Sequence, residues 1–210
     1  MIYSFKATSE LFNDNLTVNS EKELALVYQA AALCEKADVK VKNINSELLT
    51  EAYDDAGVQS NFYNDTLYIS KKPLNSIGTL IKDFSEFAHL AIPFAIVCAA
   101  KGIQADLKGL QALTNGAGGE AVSMFQKEIY RFNINTDFCD QSKLKIYNNK
   151  AIQQKSKPVN VAADEDLCMS FIPLAVVFGN IEINLAADFF ERYPRMNELL
   201  AALNFSFDKI

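Results

Sequence analysis

The sequence predicts an α+β fold, with a helix-rich first two-thirds and antiparallel β-hairpin or sheet elements and a short helix in the last third. Three observations point there. Apolar residues recur at helical spacing over 21–37 and again over 74–90. From Asn133 the texture changes to alternating, β-prone segments. No internal repeat and no regular parallel βαβ pattern is evident. With 210 residues, half of them apolar and no linker-like break, the chain reads as one domain over 1–210, with a subdomain junction allowed only near 115–119.

Taken in order, residues 2–7 read as an opening strand. Ser20-Glu21-Lys22-Glu23 matches a capping box and starts a helix running to about Ala37. Leu24, Val27, Tyr28, Ala31 and Cys34 form its buried side, and Lys22, Gln29 and Lys36 a narrow wet stripe. Val39-Lys40-Val41-Lys42 alternates as a half-buried strand does, and Asn45 or Ser46 caps a short helix ending before Gly57. Thr66–Ser70 reads as a strand. Leu74 to Leu90 reads as the clearest amphipathic helix, with Ile77, Leu80, Ile81, Phe84, Phe87 and Ala88 on one face. Lys82, Ser85, Glu86 and His89 lie on the other, and Pro93 should kink or end it. Phe94–Ala100 continues as buried helical turns stopped by Gly102. A weaker helix is expected at 104–113 and a firmer one at Glu120–Phe132. Lys143–Tyr147, Asn148-Asn149 and Lys150–Gln154 suggest a hairpin. Val159–Ala163 and Leu167–Phe178 are β-prone, the second bent or partly helical at Pro173. A helix near 185–192, another after Pro194 and a closing strand at Phe205–Phe207 complete the chain.

Counting excludes much chemistry. Lys plus Arg number 20 and Asp plus Glu 26, a net charge of −6. Arginine stands only at Arg131, Arg192 and Arg195, which supplies bidentate phosphate or base recognition poorly, so nucleic acid is not an expected partner. The lysine strips (Lys36, Lys40 and Lys42; Lys143, Lys145, Lys150, Lys155 and Lys157) read as guards on exposed strands. Cys34, Cys98, Cys139 and Cys168 form no C-x-x-C pair and read as reduced thiols in a reducing, cytoplasmic setting or within a particle. The N-terminus lacks signal-peptide character. The apolar run Ala88–Ala100 is shorter than the ~20 residues of a membrane span.

His89 is the only histidine, so sites with two or three His ligands are excluded within one chain, and no metal or cofactor is expected. Ser85-Glu86-Phe87-Ala88-His89 departs from the H-E-x-x-H zinc-peptidase helix only at its first position, but that position must be a ligand. Asn115-Gly116-Ala117-Gly118-Gly119 enters a helix, and the amides of Gly116, Gly118 and Gly119 suit an anion. Glu120 follows where a phosphate loop needs Lys. Asp164-Glu165-Asp166 reads as a solvated turn. Phe189, Phe190, Tyr193 and Met196 gather near the C-terminus. Phe189 and Phe190 point about 100° apart on a helix, which favours an interface covering one of them. The expectation is a non-enzymatic interaction or assembly protein, with a protein partner or copies of itself. The alternative is a degenerate zincin-like metallopeptidase relative, or another hydrolase, centred on Ser85, Glu86 and His89.

Overall fold

A computed structural model describes residues 1–42, 44, 52–74, 78–113, 118–147, 152 and 158–210. Its strands make three four-stranded sheets of one design. The chain opens with β1 (Ile2–Ala7), which waits for partners from the far end. Then β2 (Glu10–Thr17), α1 (Glu21–Leu33) and β3 (Lys36–Lys42) form a parallel β-α-β crossover. The hairpin β4 (Val58–Tyr63) and β5 (Thr66–Lys71) lays β5 antiparallel on β3, giving the order β2-β3-β5-β4. The hairpin turns at Asn64-Asp65, both at positive φ (47° and 56°), as a two-residue type I′ turn requires.

The same plan recurs. β6 (Leu80–Asp83), α2 (Ala91–Lys101) and β7 (Ala105–Lys108) form the crossover. α3 (Gly118–Tyr130) and the hairpin β8 (Asn135–Cys139)–β9 (Lys143–Tyr147) follow, in the order β6-β7-β9-β8. In the third copy β10 (Val159–Asn160), α4 (Glu165–Phe171) with α5 (Leu174–Phe178), and β11 (Asn180–Asn184) make the parallel pair. After α6 (Phe189–Arg192) and α7 (Met196–Ala202) comes β12 (Phe205–Lys209), and β1 supplies the fourth strand, giving β10-β11-β1-β12.

This corrects the expected fold class. Helices and strands alternate throughout, and eight of the twelve described strands lie before residue 140. The first two-thirds are therefore not helix-rich, and the parallel crossovers missing from the sequence pattern are present three times. Of the expected helix 74–90, the described residues 78–90 are not helical as a whole. The stretch contains β6, a turn at Ser85-Glu86 and a 3₁₀ turn at Ala88–Leu90. Asp83 accepts from the Ser85 amide (2.8 Å) and hydroxyl, a local bond that competes with helix formation. Lys82 pairs with Asp55 at 2.8 Å rather than with Glu86. Pro93 neither kinks nor ends α2, because it sits in the first turn, where a missing N–H leaves no helical bond unmade. Residues 104–113 hold β7 and a short 3₁₀ turn, and Leu167–Phe178 is helical on both sides of Pro173. Residues 45 and 46, residues 148–151, 153 and 154 of the expected hairpin, and Lys155 and Lys157 of the second lysine strip lie outside the described residues.

The core explains the pattern of burial. α1, α2 and α4–α5 pack on one another at the centre, with the sheets around them. Every residue from Leu24 to Ala32 and from Ala91 to Ala99 is buried, which is why these helices read as apolar nearly all round. Gln29, assigned to the wet stripe, is 1% exposed. Its Nε2 donates to the carbonyls of Pro93 (2.9 Å) and Ser170 (3.1 Å), tying the three central helices together. A buried amide needs such partners, since an unpaired one costs about 1–3 kcal/mol.

Tyr53 shows the opposite case. Its ring stacks on Tyr28 (centroids 5.0 Å apart) and meets Phe94 edge-on, yet its fully buried hydroxyl has no hydrogen-bond partner among the described residues. Burial pushes its pKa well up. Tyr53→Phe is expected to raise stability by about 1 kcal/mol in urea denaturation; a loss would mean that the hydroxyl is satisfied.

Candidate functional site

In each unit the first two strands run parallel, so their C-terminal ends and the N-termini of the following helices share one pole of the molecule. In sheets with parallel strands this is the end where ligands gather. Ser20 caps α1 by accepting from the Glu23 amide (3.2 Å), while Glu23 accepts from the Asn19 amide (2.7 Å). Asp164 caps α4 by accepting from the Leu167 amide (2.9 Å). The acidic triplet 164–166 is thus a helix start, where negative charge is favoured, rather than a loose turn.

Charged side chains cross between the helices at this pole. His89 Nε2 lies 3.3 Å from Glu21 Oε2, and Lys22 Nζ lies 2.5 Å from Asp166 Oδ1. Glu165 pairs with Arg192 and accepts from the Tyr193 hydroxyl, and Arg192 also reaches Asp188 at 2.9 Å. Burial, followed by the nearby charge of Asp166, pushes the Tyr193 hydroxyl pKa up. Arg195 donates to Thr17 Oγ1 (3.0 Å), at the end of β2. These groups are partly exposed, so each pair contributes roughly 0–1 kcal/mol to stability and mainly positions charge. Between Lys22, His89, Pro93, Asp166 and Met169 lies a cavity of about 20 Å³, room for one water and not for a substrate. The chain presents a charged wall rather than a closed chamber.

Several expected residues fall at this pole. Ser85 and Glu86 sit in the turn between β6 and α2, and His89 in the 3₁₀ turn just before α2. They do not share a helix face, so the zinc-peptidase geometry is absent. Among the described residues no cluster of three or more His, Cys, Asp or Glu side chains is able to hold a metal ion. Gly118 and Gly119 open α3, while Gly116 lies outside the described residues. The aromatic group packs within the chain. Phe189 and Met196 are buried, and Phe190 stacks on Phe207 (4.6 Å, 9° between planes) and meets Tyr3 edge-on. Phe189 and Phe190 do diverge, but β1 and β12 cover the second ring without a partner. Tyr193 alone of the four reaches the pole through a hydrogen bond.

Lys22, Glu165, Asp166 and Arg192 escaped functional assignment from sequence. The signal that finds them is positional: Lys22 lies two residues after an N-cap, as does Asp166, and in this topology the N-caps of the central helices mark one pole.

No family model and no curated protein matches the chain. Among solved structures it superposes on EPSP synthase from Acinetobacter baumannii in two structures, with TM-scores of 0.61 and 0.64 at 16% identity. The match covers 90% of this chain and 47% and 46% of those chains, so the chain spans about half their length. The enolpyruvyl transferase NikO from Streptomyces tendae superposes more loosely (TM-score 0.41, 13% identity, covering 85% of this chain and 40% of that one). The EPSP synthase likeness corrects the expectation of a non-enzymatic interaction or assembly protein, whose aromatic patch is internal, and equally that of a zincin-like peptidase or other hydrolase. The fold is one found in a synthase. No helix of the described residues is long and apolar enough to cross a membrane.

Proposed function

We propose that this chain forms one half of an EPSP synthase-type enolpyruvyl transferase, its helix-N-terminal pole being one wall of a two-part active site. The observation that carries this is the extent of the likeness: nine-tenths of the chain superposes on slightly under half of a synthase. The pole supports it. Lys22, His89, Arg192 and Arg195 are charges or donors suited to anionic groups, held by carboxylates and open on one side. A second unit of similar build closing on the pole would exclude water, where such charges act more strongly than in bulk solvent.

Ile2 pairs with Asn184 at the end of β11, and the Ile210 amide donates to the Ile2 carbonyl (3.0 Å). Residues 2 and 210 therefore lie together at this pole, beside the proposed wall. In this proposal residues 1–210 act as one folded unit, and the partner is the other half of the enzyme. The four unpaired cysteines fit a reducing, cytoplasmic setting.

The test is an EPSP synthase assay on the protein purified from its native source with whatever partner accompanies it, comparing wild type with Lys22→Ala and His89→Ala. Each substitution should leave the fold within ~1 kcal/mol of wild type and lower kcat/KM roughly 10²-fold. Absence of EPSP formation by the wild type removes the transferase reading. Turnover that both variants leave unchanged removes this pole as the active wall.

A further inference from the structure

At the opposite pole, the C-terminal ends of α1 and α2 meet the end of β5 around two lysines. Lys101, the last residue of α2, donates to the Ala32 carbonyl at 3.1 Å, and Lys71, the last residue of β5, donates to the same oxygen. One carbonyl at a helix C-terminus carries only part of a negative charge. Two ammonium groups sharing it are under-neutralised. The neighbouring lysines differ: Lys36 pairs with Glu10 at 2.6 Å and Lys72 with Asp54 at 2.5 Å. Among the ion pairs of the described residues, neither Lys71 nor Lys101 has a carboxylate.

The two amines border an open cavity of about 540 Å³, whose wall includes Glu35, Lys36, Lys72 and Pro73. Gly57 keeps the approach clear. Its φ is +85°, and a Cβ there would stand 3.0 Å from Lys101 Nζ and 3.2 Å from the Lys72 carbonyl. We propose that this cavity binds a phosphate dianion, free or as a small phosphomonoester, bridged by Lys71 and Lys101. A dianion supplies the charge that the Ala32 carbonyl lacks and matches two ammonium donors.

Lys101 then changes state on binding. In the free protein burial, with the charge of Lys71 beside it, lowers its pKa to about 7. Burial lowers Lys71 as well, in the same direction but with no carboxylate opposing it. Among the described residues, the other titratable groups facing the pair are Glu35, the two lysine–carboxylate pairs, and the Cys34 and Cys98 thiols, both raised by burial. A bound dianion favours protonated Lys101, so binding takes up a proton and affinity falls as pH rises above about 7. The fall approaches tenfold per pH unit well above that value.

The site lies away from the proposed active wall and does not rest on the transferase proposal. The test is calorimetric titration with inorganic phosphate, and separately with glycerol phosphate, at pH 8 in two buffers of different ionisation enthalpy. Uptake approaching one proton is expected. Lys101→Arg should retain binding without proton uptake, while Lys101→Met and Lys71→Met should each lose tenfold or more in affinity. Binding of inorganic phosphate alone assigns the site to the free ion, and binding of both assigns it to phosphomonoesters as well. Three results would overturn the proposal: no heat at millimolar concentrations of either probe, wild-type binding without proton uptake, or unchanged affinity in both methionine variants. Should Lys101→Met fail to fold, Lys71→Met and Lys101→Arg decide the matter.

Discussion

Glu128→Ala is expected to cost the fold about 3–5 kcal/mol. Glu128 lies on α3 and is only 2% exposed, so its carboxyl depends on partners within the fold. It pairs with Arg131 one turn later and accepts from the Asn160 amide at 3.2 Å, while Arg131 also donates to the Pro158 carbonyl at 3.0 Å. These bonds tie the outer helix of the second unit to the first strand of the third. Removing the carboxylate takes an acceptor from both the Arg131 guanidinium and the Asn160 amide and leaves a cavity at a buried position, so the loss exceeds what the ion pair itself contributes. Glu128→Gln keeps an acceptor for Asn160 and should lose less. Urea denaturation of the two variants separates the contributions. A loss under 1 kcal/mol in Glu128→Ala would mean that the tie is unimportant.

Gly109→Ala is expected to cost about 3 kcal/mol or more and to displace the Ser85-Glu86 turn beside the proposed active wall. Gly109 follows β7 at φ +78°, where L side chains are strained, and an added Cβ would fall on the Ser85 amide and hydroxyl and the Asp83 carboxylate. Two of those atoms make the turn that holds the Asp83 carboxyl below the usual carboxylate range. The backbone must move, and His89 stands four residues beyond Ser85. Because His89 is the only histidine, its ring signals in a proton NMR spectrum report that movement without assignment. Melting and His89 shifts both close to wild type would show that the strands do not approach so closely.

Part of this architecture was legible in the sequence. The Ser20 capping box, the buried run of α2 stopped by Gly102 in the left-handed conformation, and the alternation of β3 were local signals, and local geometry followed them. The segments that misled were apolar runs whose period does not separate strand from buried helix. Ile77, Leu80, Ile81, Phe84 and Phe87 fall at helical spacing, yet β6 shows Leu80 to the core and Ile81 to solvent before a polar side chain turns the chain at Asp83. The threefold plan was illegible for another reason. What the units share is strand order and direction, set by packing around the central helices, and the third unit is completed by residues from both chain ends. At the site, rarity brought His89 forward, whereas Lys22 and Asp166 are ordinary surface types until α1 and α4 bring them within 2.5 Å.

The closure of the third sheet also sets a timetable for biosynthesis. β1 is made well before the other strands of its sheet, because it pairs with β11 and β12 from the far end of the unit. During translation it must remain an unpaired edge carrying Phe5, a residue that ends fully buried. Pairing so distant in the chain folds slowly and leaves that edge open to mispairing with other nascent chains. A rearranged sequence that places β1 after β12 would let the strand appear beside partners already made.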